Sequence, residues 1–142
     1  MLAPLAAYWK ASDRDDQGRK RCRTCATWQT VDQFNRRSTT SDGLDTICLR
    51  CCRDNKMRVN YGITLEAYLR MLEDQGDGCA ICGGTNPGGK ELAVDHDHRC
   101  CPGRKSCGAC VRGLLCSSCN LAIGMLGEDP VRLDAAASYL RR

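Results

Sequence analysis

With 142 residues the chain has room for one ordinary domain or two very small ones, and one Phe, two Trp and four Tyr cannot build a large aromatic core. No stretch approaches the ~20 apolar residues of a membrane-spanning helix, so no membrane association is expected. The net charge of +4 is uneven: residues 1–58 hold 12 Lys+Arg against 7 Asp+Glu, and residues 59–142 hold 9 against 10.

Thirteen cysteines would suit a secreted disulfide scaffold. The start, Met1 to Ala7, lacks a basic n-region and is too short for an h-region with a cleavage site, so no signal peptide is expected. Recurring Cys-x2-Cys pairs in a reducing cytosol point to Zn2+ as the staple of a short chain.

In chain order, residues 1–18 are polar after the first few and read as a flexible lead-in. Residues 19–58 read as a four-cysteine zinc module resembling a zinc ribbon, framed by Cys22-x2-Cys25 and Cys48-x2-Cys51. The gap of 22 residues between these pairs accommodates two short hairpins, with Asp42-Gly43 as a turn and Val31 and Phe34 as a minimal apolar centre. Cys52 competes with Cys51 for the fourth ligand position, and Cys51 is chosen because it keeps the two-residue spacing. The basic run Arg19-Lys20-Arg21-Cys22-Arg23 suggests a grip on a phosphate backbone, with an ordinary solvated face as the alternative.

Residues 59–142 read as a second domain. Leu65, Tyr68, Leu69 and Leu72 share one helical face, which predicts a helix from Thr64 to Gln75, N-capped by Thr64 and closed by Gly76. This helix serves the core, and could also meet a second subunit. Leu92-Ala93-Val94 and Val111 to Leu115 predict two strands. A helix follows from Ser117 to Gly127, with Leu121, Ile123, Met125 and Leu126 as its apolar residues. Asp129 and Pro130 start a last helix whose apolar face is Leu133, Ala136, Ala137 and Leu140.

Both histidines of the chain lie in Asp95-His96-Asp97-His98. Imidazole alternating with carboxylate suits a metal-dependent hydrolytic site. Cys79, Cys82, Cys116 and Cys119 form two knuckles 33 residues apart, and one Zn2+ on all four would clamp the start of the hairpin to the helix that carries Asn120. Four thiolates leave no open position on that ion, so catalysis needs another. Asp95 and Asn120 offer hard oxygen ligands for Mg2+ or Mn2+, and neutral His96 can take a proton from water attacking a phosphodiester. Side chains alternate along a strand, so Asp95 and His96 can face one site only where the strand ends and the backbone turns. His98 contacts phosphate or supports the loop, and Asp97 orients a neighbour. A zinc site built from the two histidines with Cys100 and Cys101 is the competing reading.

The segments Leu92 to His98 and Val111 to Asn120 together resemble the recombination endonuclease VII family, His-Me finger (ββα-metal, HNH-like) nucleases typical of phages. The resemblance covers about residues 61–140. It implies an α+β fold with a small zinc-stapled ββα-metal core and flanking helices. It also implies Mg2+ at Asp95 and Asn120, His96 as general base, and structural zinc on Cys79, Cys82, Cys116 and Cys119. The expected setting is the cytoplasm of a phage-infected or prophage-bearing bacterium, and DNA is the expected partner. The expected activity is endonucleolytic cleavage, on branched DNA in the manner of a Holliday junction resolvase or as a nicking or double-strand enzyme. A homodimer would supply two sites for paired cuts. Arg112 could meet phosphate or pair with an acidic neighbour.

The four-cysteine module before this region lies outside the resemblance and suggests an added DNA-binding element. Between the strands, Cys100, Cys101, Cys107 and Cys110 either hold a third zinc or remain free thiols or a disulfide. A non-catalytic zinc-finger protein binding nucleic acid is the alternative function, and a zinc-stapled protein-interaction adaptor a third. The first gives Asp95, His96 and Asn120 nothing to do, and the basic N-terminal half disfavours the second.

Overall fold

The computed structural model describes residues 14–142, so most of the polar lead-in lies outside the described residues. The chain divides into two compact units, the first ending at Lys56 and the second spanning Met57–Arg142.

The first unit is two antiparallel hairpins and the start of a helix. Strand β1 (Lys20–Arg21) pairs with β2 (Trp28–Gln29), and β3 (Phe34–Arg36) pairs with β4 (Leu44–Cys48). Helix α1 (Leu49–Tyr61) follows β4 without a break. Residues 14–18 are folded rather than a loose lead-in: Arg14 bridges Lys20, and the Asp15 carboxylate accepts from the Arg19 backbone at 2.8 Å and from its Nε at 2.7 Å. The apolar centre is Cys22, Phe34 and Cys48, with Leu44, Ile47 and Cys51 packed on it. Val31 does not join it and is 40% exposed, because it lies in a short 3-10 turn on the surface.

The sequence expectation did not include α1. Its residues are mostly polar, with Met57 its one buried side chain, so no apolar stripe marks it. The available signal is the run from Leu44 to Tyr61, which contains no Gly or Pro and stops at Gly62.

In the second unit, α2 (Leu65–Asp74) is capped by Thr64, whose hydroxyl accepts from the Ala67 amide at 3.0 Å. Strands β5 (Ala93–His96) and β6 (Val111–Leu115) form an antiparallel hairpin, followed by α3 (Ser117–Met125) and α4 (Pro130–Leu140). Strand β5 starts one residue later than the sequence predicted and runs on through His96. The core joins Met57, Tyr68, Leu92, Val94, Leu114 and Leu115 with Cys79 and Cys116. Gln75 completes the free edge of β6: its Nε2 donates to the Leu114 carbonyl at 2.9 Å, and its Oε1 accepts from the Leu114 amide at 2.9 Å. Of the apolar residues assigned to the last two helices, Ile123 packs on the core, whereas Leu121, Met125 and Leu140 are exposed.

Candidate active site

A register shift in the β5–β6 hairpin creates the site. Asp95 is opposite Gly113 and His96 is opposite Val111, so Arg112 is an extra residue on β6. Such a bulge breaks strict alternation and re-aims neighbouring side chains. Asp95 and His96, adjacent in sequence, are therefore both buried, at 6% and 4% exposure. The motif sits at the end of β5, as the alternation argument expects, and a bulge between the strand's last two residues does the re-aiming.

Asp95, His96, His98 and Asn120 line one cleft of about 300 Å³, together with Tyr61 and Arg104. The His96 and His98 rings lie 4.6 Å apart between centroids. His96 Nε2 is 3.1 Å from the carbonyl oxygen of Cys101. A carbonyl only accepts, so Nε2 carries the proton and Nδ1 is left as the basic nitrogen of the neutral ring.

Arg112 pairs with acidic neighbours, one of the two roles open to it from sequence. Its Nε and Nη2 reach the two Asp95 oxygens at 2.7 and 3.0 Å, and Nη2 also reaches Glu128 Oε2 at 2.9 Å. The carboxylates of Asp95 and Glu128 raise the Arg112 pKa further, so the group stays charged. Glu128 also binds His98 Nδ1 through its other oxygen. Burial acts to raise the Glu128 pKa, but the adjoining His98 and Arg112 outweigh it and hold the carboxyl below its ordinary value. Glu128, Arg112, His98 and Arg99 also line a second cleft of about 570 Å³. Sequence reasoning missed Glu128. The only local signal for it is its place between Gly127 and the Asp129-Pro130 helix start.

The cysteines fall into three groups of four, each with its sulfurs within 4.8 Å of one another. Cys79, Cys82, Cys116 and Cys119 form the group in the core of the second unit, with Cys82 and Cys116 sulfurs 3.7 Å apart. A tetrahedral zinc with Zn–S bonds of about 2.3 Å sets sulfurs about 3.8 Å apart, so this group fits the ion. Its first knuckle turns so tightly that a Cβ on Gly78 would collide with the Gly83 carbonyl oxygen. Cys116 caps α3, and Asn86 fixes the same end by accepting from the Ser117 amide at 2.7 Å and hydroxyl at 3.0 Å. Asn120 thus sits in the first turn of a helix anchored at its start.

Cys22, Cys25, Cys48 and Cys51 form the group in the first unit. Cys51, not Cys52, is its fourth member, as the two-residue spacing predicted. The Thr27 hydroxyl beside Cys25 lowers that thiol to about 6. Cys100, Cys101, Cys107 and Cys110 form the third group, which excludes both histidines. The zinc site built from His96, His98 and this cysteine pair is therefore not assembled.

The basic run of the first unit is largely engaged internally. Lys20 is 5% exposed, and its Nζ binds Asp42 at 2.8 and 3.0 Å and the Leu44 carbonyl at 3.1 Å. Arg19 pairs with Asp15, and Arg21 Nε donates to the Ala26 carbonyl at 3.1 Å.

A β-hairpin and the helix after it, bringing a bulge-paired Asp–His and an Asn into one cleft beside a four-cysteine knuckle, define the ββα-metal class. The chain belongs to the recombination endonuclease VII family, whose model matches residues 54–142. It is 39% identical over 90 residues to the Gene 59 protein of Mycobacterium phage D29, covering 63% of this chain and 50% of that protein. It is 40% identical over 67 residues to the Gene 59 protein of Mycobacterium phage L5, covering 47% of this chain and 36% of that one. The chain thus spans about half the length, or less, of these curated relatives. Among solved structures, it resembles the ββα-Me type II restriction endonuclease Hpy99I at 25% identity and a TM-score of 0.36, over 87% of this chain and 65% of that one. No helix among the described residues is long and apolar enough to cross a membrane.

Proposed function

We propose that this protein is a metal-dependent DNA endonuclease that hydrolyses phosphodiester bonds with His96 as general base. The observation that carries the reading is the pairing of His96 Nε2 with the Cys101 carbonyl at 3.1 Å, beside buried Asp95 and with Asn120 lining the same cleft. With Nε2 donating, Nδ1 is free to take the proton of a water attacking phosphorus. Family membership supplies the class of reaction.

Asp95 and Asn120 would hold Mg2+ or Mn2+, since both are hard oxygen donors lining one cleft. Asp95 keeps this capacity while paired, because Arg112 occupies one lone pair on each oxygen and each oxygen has another. When bound, such an ion supplies Lewis-acid stabilisation of the leaving 3′ oxygen and of the charge growing on phosphorus. Arg112 holds the Asp95 carboxylate in one orientation, and Glu128 holds Arg112 and His98 from the other side. Arg104 and Arg99, which line the two clefts, would meet DNA phosphate. Structural zinc on Cys79, Cys82, Cys116 and Cys119 would hold the hairpin against α3, and zinc on Cys22, Cys25, Cys48 and Cys51 would organise the first unit. The setting would be the cytoplasm of a phage-infected bacterium, as the phage relatives suggest.

The test is cleavage of supercoiled plasmid, linear duplex and a synthetic four-way junction by the purified protein with Mg2+ or Mn2+, beside His96→Ala. Cleavage by wild type that falls at least ~100-fold in the folded variant supports the reading. Symmetric cuts confined to the junction make the enzyme a resolvase, and nicks in plasmid make it a general endonuclease. A folded, zinc-loaded wild type that binds DNA but cuts none of the three overturns it in favour of a non-catalytic binding protein.

A further inference from the structure

The loop between β5 and β6 carries a four-cysteine group for which the proposed reaction has no use. Its sulfurs are separated by 3.9 Å between Cys100 and Cys107, 3.9 Å between Cys100 and Cys101, and 3.7 Å between Cys107 and Cys110. These match the edges of about 3.8 Å of a zinc tetrathiolate, and none approaches the ~2 Å of a disulfide. Adjacent cysteines are awkward ligands for one ion in extended chain. Here a turn solves the problem, because the Asp97 carbonyl accepts from the Cys100 amide at 3.1 Å and the Cys101 amide at 3.0 Å.

The rest of the loop is built to hold this arrangement. The Asp97 amide donates to the Cys110 carbonyl at 3.0 Å, which closes the loop across its base. Ser106 binds the end of α1, with its amide on the Asn60 carbonyl at 2.9 Å and its hydroxyl on the Tyr61 carbonyl at 3.2 Å. Backbones touch where the loop passes Gly62, at which a Cβ would lie 2.6 Å from the Cys107 carbonyl carbon. Yet no residue from Asp97 to Cys110 is buried, so no apolar packing within the loop holds it in place. The Cys101 carbonyl that holds His96 Nε2 belongs to this unpacked segment.

We propose that Cys100, Cys101, Cys107 and Cys110 bind a third Zn2+, and that this ion positions His96 by fixing the Cys101 carbonyl. The metal site and the imidazole contact stand on geometry alone, and only their consequence for cleavage rests on the nuclease reading. The other two groups each contain two buried cysteines, whereas this one contains none, so its ion is the first to leave under mild chelation.

Zinc per chain, measured by elemental analysis of the reduced, intact protein, should be about three, one for each group. It should fall by one in the C107S/C110S variant, with unchanged circular dichroism. Because the chain has two histidines, ring 15N resonances report His96 directly. Wild type should show a fixed Nε2–H tautomer at His96, and the variant the mixed tautomers of a free ring. Cleavage should fall roughly 10–100-fold, the usual cost of losing a support behind a metal site. Wild type holding two zincs, or a variant holding as many as wild type, overturns the metal site. An unchanged His96 signature in a variant that has lost one zinc overturns the positioning role. If C107S/C110S does not fold, graded chelation of wild type followed by native mass spectrometry decides. A discrete loss of one zinc that changes the His96 signature supports the proposal, and a discrete loss that leaves the signature unchanged overturns the positioning role. Three zincs with the His96 signature in a protein that cuts no DNA would sink the nuclease reading and leave this one standing.

Discussion

Asp95 lies at 6% exposure with Arg112 bonded to both of its oxygens. Burying an unpaired carboxylate is costly, and Arg112 itself is half-exposed, so the loss on breaking the pair falls between surface and fully buried cases. Arg112→Leu should therefore lower stability by about 1–3 kcal/mol. Chemical denaturation should show the penalty shrinking in R112L/D95N, where no buried charge is left behind; an additive double variant would show that the pair is uncoupled. Glu128 supplies a pH dependence. Its folded-state carboxyl lies below its ordinary value of 4.5, so its contribution is present above that pH and is lost as pH falls through the lower folded value. Wild type should accordingly exceed Glu128→Gln in denaturation midpoint near neutrality, with the gap closing in acid below about pH 4.5. Comparing the two proteins at each pH cancels the loss of zinc, which affects both. A gap that stays constant with pH would remove this role.

The single extra residue on β6 decides the element-level geometry, since without the bulge Asp95 and His96 would point to opposite faces. The free edge of that strand is completed by a side chain, and this gives a rank order of stabilities. Thr64→Ala removes one cap bond at the start of α2 and should cost about 1 kcal/mol. Gln75→Ala orphans the amide of Leu114, a fully buried residue, whose carbonyl keeps the Ala80 amide at 3.0 Å, and should cost about 1–3 kcal/mol. Thermal melts should place Q75A below T64A. The reverse order would mean that water replaces Gln75 at the edge.

For the whole molecule, the two units differ in how much apolar core they own. Among the described residues, the first has Phe34 as its one buried large hydrophobic side chain, together with Cys22 and Cys48, whereas the second buries Met57, Tyr68, Leu92, Val94, Leu114 and Leu115. A domain without a sufficient core depends on its metal for folding. Exhaustive chelation under reducing conditions should therefore abolish the chemical-shift dispersion of residues around Phe34, while part of that around Tyr68 and Leu114 survives. Added Zn2+ should restore both. Persistence of the Phe34 signals without metal would show that the hairpins fold on their own.

What was legible from sequence is local. Cysteines two residues apart make knuckles within one turn of chain, so the pairing of Cys22 with Cys25, and of Cys51 rather than Cys52 with Cys48, needs no tertiary information. The same holds for the Thr64 cap, the Asp129-Pro130 helix start and the Asp95–His98 motif, whose surroundings identify the family. What was not legible depends on partners far along the chain. Glu128 reaches His98 across 30 residues and Arg112 across 16, and no periodicity announces such contacts. Lys20 reads as part of a DNA-facing basic run, but its Asp42 partner lies 22 residues on and draws it inward. The amino-acid sequence by itself determined the ligand types, the order of elements from α2 onward and the family, because knuckles, caps and turns act over a few residues. Only the tertiary structure decided which charges are spent on one another and which nitrogen of His96 is left basic, because those depend on strand register and burial.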